Sequence, residues 1–217
     1  MSVSASSFGD ARQKASSAVR WAALGDSFTA GTRPGETTWP TLVQRQISRS
    51  RPCELIRFAR KGARTPEIEA EQLPAGLAAG PDVVTLICGG NDVILSVRPS
   101  PERFEDELER CFERIAEALP GARTLTATYP EICTHELRPR TRRRIEDGFK
   151  GVNTIIRSVA ARWGVACVDF ARHPGQGDLS NYASDGFHPS EVGHRLAAAA
   201  IGPALEQLIG SWELEPA

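Results

Sequence analysis

The chain has 217 residues, 41% of them hydrophobic, which is enough to bury one sizeable core. Lys and Arg total 26 against 27 Asp and Glu, and the resulting net charge of -1 excludes the broad basic field of a nucleic-acid binder. No run approaches the roughly 20 apolar residues of a membrane span.

Residues 1–18 mix Ser and Ala with Asp10, Arg12 and Lys14 and hold no apolar stretch of the kind a signal peptide needs. They read as a loose tail, and residues 19–217 as one domain. Val19 to Leu24 is a short apolar run, long enough for a buried strand and too short for a helix. It ends at Gly25, with Ser27 two residues on and a second glycine at Gly31. Trp39 to Ile47 has a helical period. Glu54 to Ala59 reads as a second strand, and Thr65-Pro66 as an N-cap and first-turn proline opening a helix through Leu73. Val83 to Cys88 reads as a third, continuously apolar strand. Ser100-Pro101 repeats the cap signature ahead of a helix whose face is Phe104, Leu108, Cys111, Phe112, Ile115 and Leu119. Thr124 to Thr128 is a fourth strand, and Ile145, Phe149, Val152, Ile156, Val159 and Trp163 mark the clearest helix. Val165 to Phe170 is a fifth strand. Ser190 caps a last helix that is expected to bend near Gly202-Pro203. Strands alternating with helices predict an α/β chain with a five-stranded parallel sheet covered on both faces. The longest irregular stretch, Ala171 to Ser184, is long enough to carry function.

Chemistry-bearing residues fall after different strands, at the sheet edge where ligands collect in open α/β proteins. Ser27 follows the first, where it is either a nucleophile or a cap for the next segment. Asp26 beside it reads as a helix cap or packing partner as readily as an acid. Gly62 follows the second strand, where a glycine lets a backbone N–H approach a ligand or simply makes a turn. Gly89-Gly90-Asn91-Asp92 follows the third, and Asn91 there can present its amide. Asp185 and His188 stand three residues apart, close enough for the carboxylate to hold Nδ1–H and leave Nε2 free as a base. His135, His173 and His194 lack such a neighbour and read as solvated surface groups.

The five cysteines, Cys53, Cys88, Cys111, Cys133 and Cys167, are odd in number and widely spaced. They form no CxxC pair or Cys/His cluster, so no metal site is expected, and reduced thiols in a cytoplasmic protein are.

The joint order of Ser, Gly, Asn and Asp-x-x-His resembles the SGNH hydrolases, or GDSL esterases/lipases. Gly25-Asp26-Ser27-Phe28 matches the first block, with Phe for the common Leu; Gly62 falls at the second, Gly89-Gly90-Asn91-Asp92 at the third and Asp185-x-x-His188 at the last. Arg60-Lys61 stands where members usually carry Asn before the block-two glycine. The resemblance implies a three-layer α/β/α, flavodoxin-like sandwich. It implies a serine esterase that needs no cofactor, with Ser27 as nucleophile, His188 as base and Asp185 orienting it. The backbone N–H groups of Ser27 and Gly62 and the side chain of Asn91 would form the oxyanion hole. A small intracellular ester or thioester is the expected substrate, with acyl transfer from the same site, or a non-catalytic binding domain, as alternatives. Arg60, Lys61 and Arg64 flank Gly62, and Arg138, Arg140, Arg142, Arg143 and Arg144 crowd a helix start, where positive charge opposes the helix dipole. Both clusters read either as a solvated, locally paired surface or, one or both of them, as receiving an anionic group such as a carboxylate, a phosphate or an acidic carrier protein.

Overall fold

The structure, a computed structural model, describes residues 18–130, 137–175 and 177–210. The tail up to residue 17, together with Glu131, Cys133, His135 and Glu136, lies outside the described residues. Five strands, β1 (Val19–Gly25), β2 (Cys53–Arg57), β3 (Val83–Ile87), β4 (Arg123–Ala127) and β5 (Ala166–Val168), form one sheet in the order β2-β1-β3-β4-β5. All four pairings are parallel. Every residue of β3, and every residue of β1 but Arg20, is buried. That is what a strand covered on both faces demands of its sequence. The one polar pair in that layer is satisfied internally, Trp21 Nε1 donating to Thr85 Oγ1 at 2.9 Å.

The helices are α1 (Ser27–Ala30), α2 (Trp39–Ile47), α3 (Thr65–Glu67), α4 (Leu73–Ala78), α5 (Gly90–Ile94), α6 (Pro101–Ala118), α7 (Pro139–Arg162) and α8 (Glu191–Gly210). On one face α2 packs on α8; on the other α7 packs on α6, and α6 on α3 and α4. This is the expected three-layer α/β/α sandwich with a five-stranded parallel sheet. The strand order places the topological switch between β1 and β3, where open sheets of this order bind ligands.

Several boundaries differ from the sequence reading for identifiable reasons. β2 stops at Arg57 because the Phe58 and Ala59 N–H groups both turn to the Ala23 carbonyl, ending the regular ladder. β5 is three residues long because Asp169 leaves the ladder to bind Arg157 and Thr128, and Phe170 opens a 3-10 turn. Thr65 is the first helical residue rather than the cap, since its N–H and hydroxyl are both given to Asp92. The helix it opens does not stop at Leu73 but passes through a π turn at Ile68–Gln72 into α4. Ser100 and Ser190 do cap, accepting from the N–H groups of Arg103 and Gly193. α8 continues through Pro203 to Gly210.

Candidate active site

β1 ends on Gly25, which has φ of 146° and lies so close to its neighbour that a Cβ there would meet the Ile87 carbonyl oxygen at 2.4 Å. Only glycine fits between β1 and β3 at this point. The chain then turns at once into α1, with Asp26 as its cap and Ser27 as its first residue. Ser27 keeps an ordinary backbone, because every positive φ among the described residues belongs to a glycine.

The other partner comes from the loop before α8. One Asp185 oxygen accepts from the Phe187 and His188 backbone N–H groups at 2.9 and 3.0 Å, and the other meets His188 Nδ1 at 2.6 Å. His188 Nε2 in turn stands 3.0 Å from Ser27 Oγ. Partial burial opposes ionisation of Asp185, but the hydrogen bonds from the His188 backbone and ring and from Phe187 outweigh it and hold the carboxyl below its ordinary range. A charged Asp185 on Nδ1–H fixes the tautomer in which Nε2 is a free base.

Three residues that carry hydrogen-bond donors, Ser27, Gly62 and Asn91, line the same cavity. The Ser27 N–H is at a helix N-terminus and has no intrahelical partner. Gly62, with φ of 81° and open space around it, lines the cavity. Asn91 donates one amide hydrogen to the Ala63 carbonyl at 3.0 Å, which leaves the second and ties the β3 loop to the β2 loop. Asp92 strengthens that tie through Thr65.

These groups line a cavity of about 280 Å³. Its lining is largely apolar and includes the rings of Phe28, Tyr129, Phe149, Phe170, Tyr182 and Phe187 together with Ile94, Leu95 and Leu196. The sequence reading did not single out these rings as a pocket. Phe149 belonged to the buried face of a helix and Phe170 to a strand, and their opening toward Ser27 depends on tertiary packing.

The three basic candidates part company. Arg60 pairs with Glu71 at 2.6 Å and Arg64 with Glu67 at 2.9 Å. Lys61 lines the cavity and has no ion pair among the described residues. In the other basic cluster, Arg144 folds inward onto the carbonyls of Val93 and Ser96.

Two histidine readings need correction. His194 is buried, with 1% of it exposed, because its Nδ1 accepts from the Trp39 N–H and Glu36 lies beside it. His173 is half-buried and lines the cavity. Cys53, Cys88 and Cys111 are buried and Cys167 half-buried, all as free thiols. Burial pushes the Cys53 and Cys167 thiols up to about 11 and Cys111 up to about 12, so none is a nucleophile at neutral pH. Among the described residues no cluster of His, Cys, Asp or Glu is placed to hold a metal ion.

The sequence profile of the GDSL-like lipase/acylhydrolase family matches residues 23–196. The chain belongs to that family. Carboxylic ester hydrolysis is the activity class that membership carries. No curated protein matches the sequence. Solved structures share the fold at low identity. The lipase/acylhydrolase from Enterococcus faecalis superposes with a TM-score of 0.73 at 22% identity, covering 87% of this chain and 96% of its own. TesA gives 0.70 at 22%, with 87% and 99% covered. LAE5, described as an α/β hydrolase enzyme from the metagenome of Lake Arreo, Spain, gives 0.70 at 23%, with 88% and 98% covered.

Proposed function

We propose that the chain hydrolyses esters or thioesters of apolar acids through an acyl-serine intermediate. The observation that carries this reading is the unbroken Asp185–His188–Ser27 relay opening on an aromatic-walled cavity. A serine hydroxyl is a weak nucleophile and needs a base within hydrogen-bond reach, which His188 supplies. Ser27 Oγ attacks the acyl carbon as its proton passes to Nε2, and Asp185 stabilises the imidazolium that results. The developing oxyanion is met by the Ser27 and Gly62 N–H groups and the Asn91 amide. Collapse expels the alcohol or thiol, which takes the proton from His188. Water then attacks the acyl-serine with His188 again as base, releasing the acid and restoring Ser27.

The cavity suits the acyl side, because aromatic walls reward apolar groups. Among the described residues, Lys61 is a cation at the cavity without an ion pair, suited to an anionic group elsewhere on the substrate, such as a carboxylate or the phosphate of an acyl carrier. No helix among the described residues is long and apolar enough to cross a membrane, and the free thiols support a reducing, cytoplasmic setting. A series of neutral p-nitrophenyl esters tests the reading. Each methylene that enters the cavity is worth about 0.8 kcal/mol, or about fourfold in kcat/KM, until the space is full. Hydrolysis that peaks beyond acetate and is lost in Ser27→Ala is the expected result. Absence of turnover across the series, or full turnover by Ser27→Ala, contradicts it.

A further inference from the structure

The Asp26 carboxylate is buried, 3% exposed, directly before Ser27, and no step above uses it. Its Oδ1 accepts from the Phe28 N–H at 2.9 Å, which caps the helix carrying Ser27. Its Oδ2 accepts from the Tyr129 hydroxyl at 2.8 Å, across 103 residues of chain. Tyr129 is itself held in place. Its backbone N–H donates to Asn153 Oδ1 at 2.8 Å and its carbonyl accepts from Asn153 Nδ2 at 2.9 Å. Its ring packs against Phe149 and Phe28 with centroids 5.6 and 6.2 Å away. A rigid line of contacts therefore runs from α7 through the end of β4 to the residue that precedes Ser27.

We propose that Tyr129 and Asp26 are positioning residues of the ester-hydrolysing site, the Tyr129 hydroxyl holding a charged Asp26 that fixes Ser27 and presents a second negative charge to His188. This inference rests on the serine-hydrolase reading given above. A cap alone does not need the charge, since Asn caps a helix as well as Asp. A buried carboxylate is a costly way to cap, and the cost is visible. Burial pushes the Asp26 pKa up to about 6, against the pull of the Phe28 N–H and the Tyr129 hydroxyl; Asp92 pushes it up further and His188 pulls it down. The titratable groups facing Asp26 are Tyr129 at the end of β4, Asp92 on α5, His188 before α8 and Cys88 after β3. Burial holds Tyr129 and Cys88 well above their ordinary values, so both stay neutral, and the negative charge beneath the site is carried by the carboxylates, Asp26 with Asp92 behind it. The imidazolium formed during attack gains from that charge, because electrostatic interactions are strong where water is excluded.

The signs separate this role from a structural one. With its pKa raised in the folded protein, Asp26 lowers stability above its folded pKa, and the loss disappears as pH falls below the ordinary carboxylate value. Asp26→Asn is therefore expected to unfold no lower than wild type near pH 8, with the difference shrinking toward pH 4, while kcat on a neutral ester falls on the order of 10²-fold. Tyr129→Phe keeps the ring and removes a hydrogen bond that favours the carboxylate. It should lower kcat about tenfold, leave KM within about twofold, and move the acid limb of the kcat profile upward by about half a pH unit. Wild-type kcat and an unmoved acid limb in both variants would overturn the proposal, as would an Asp26→Asn protein whose stability and activity fall together. Ser27→Ala in the same assay keeps the two readings apart. Full turnover there refutes the serine-hydrolase reading itself; an inactive Ser27→Ala beside wild-type-like Tyr129→Phe and Asp26→Asn refutes only this one.

Discussion

His188 Nε2 and Ser27 Oγ meet at 3.0 Å although 161 residues separate them in the chain. Each is fixed by its own local structure. Ser27 opens a helix at the end of a buried strand, and His188 sits in a turn knotted by Asp185, by the Ala183 N–H on the His188 carbonyl, and by the Tyr182–Pro189 bridge. The site is therefore preorganised, and its members are expected to act as a unit.

Such a unit gives non-additive losses. His188→Ala should lower kcat/KM on the order of 10³-fold or more, and the Ser27→Ala/His188→Ala double variant should be no worse than Ser27→Ala alone. Asp185→Asn should fall between wild type and His188→Ala, because an amide turned toward Nδ1 favours the wrong tautomer without removing the base. The Asp185 pKa is held below the ordinary carboxylate value, so Asp185 stays charged through mildly acidic pH and a loss of activity there is not its own. Additive losses in a steady-state comparison would separate Ser27 from His188 functionally.

The Asn91 amide places one hydrogen on the Ala63 carbonyl, and the proposed mechanism gives the other to the oxyanion. Asn91→Ala should reduce kcat on the order of 10²–10³-fold with a smaller effect on KM. Asn91→Asp should be no better, since it places negative charge where negative charge develops. A loss confined to KM would show that Asn91 binds the ground state instead.

Arg60 and Arg64 are engaged by Glu71 and Glu67, whereas Lys61 lines the cavity with no ion pair among the described residues. Lys61→Gln should raise KM for an anionic ester and spare a neutral one of similar size. The difference should shrink in high salt, which screens exposed charges within about 10 Å at 0.1 M. Arg60→Gln and Arg64→Gln should change neither. Equal effects on both esters would return Lys61 to the solvated surface.

Much of this architecture was legible in the residues because the signals were local. β1 and β3 are apolar since both faces are covered, and Asp185 and His188 lie within one turn of each other. What escaped depends on distant partners. Nothing near His194 announces the Trp39 N–H that buries it, and nothing near Tyr129 announces Asp26 or the Asn153 clamp. Thr65 looked like a cap because the Asp92 that claims its side chain lies 27 residues away. The last strand is shorter than its apolar run predicts because Asp169 turns to Arg157 instead of extending the ladder.

The most direct test is covalent. Treatment with a fluorophosphonate, followed by intact mass and peptide mapping, should add one phosphonyl group at Ser27, and the rate of labelling should drop in His188→Ala. Ser27→Ala should remain unlabelled. Stoichiometric labelling of another serine, or of Ser27→Ala itself, would contradict the assignment of Ser27 as the nucleophile.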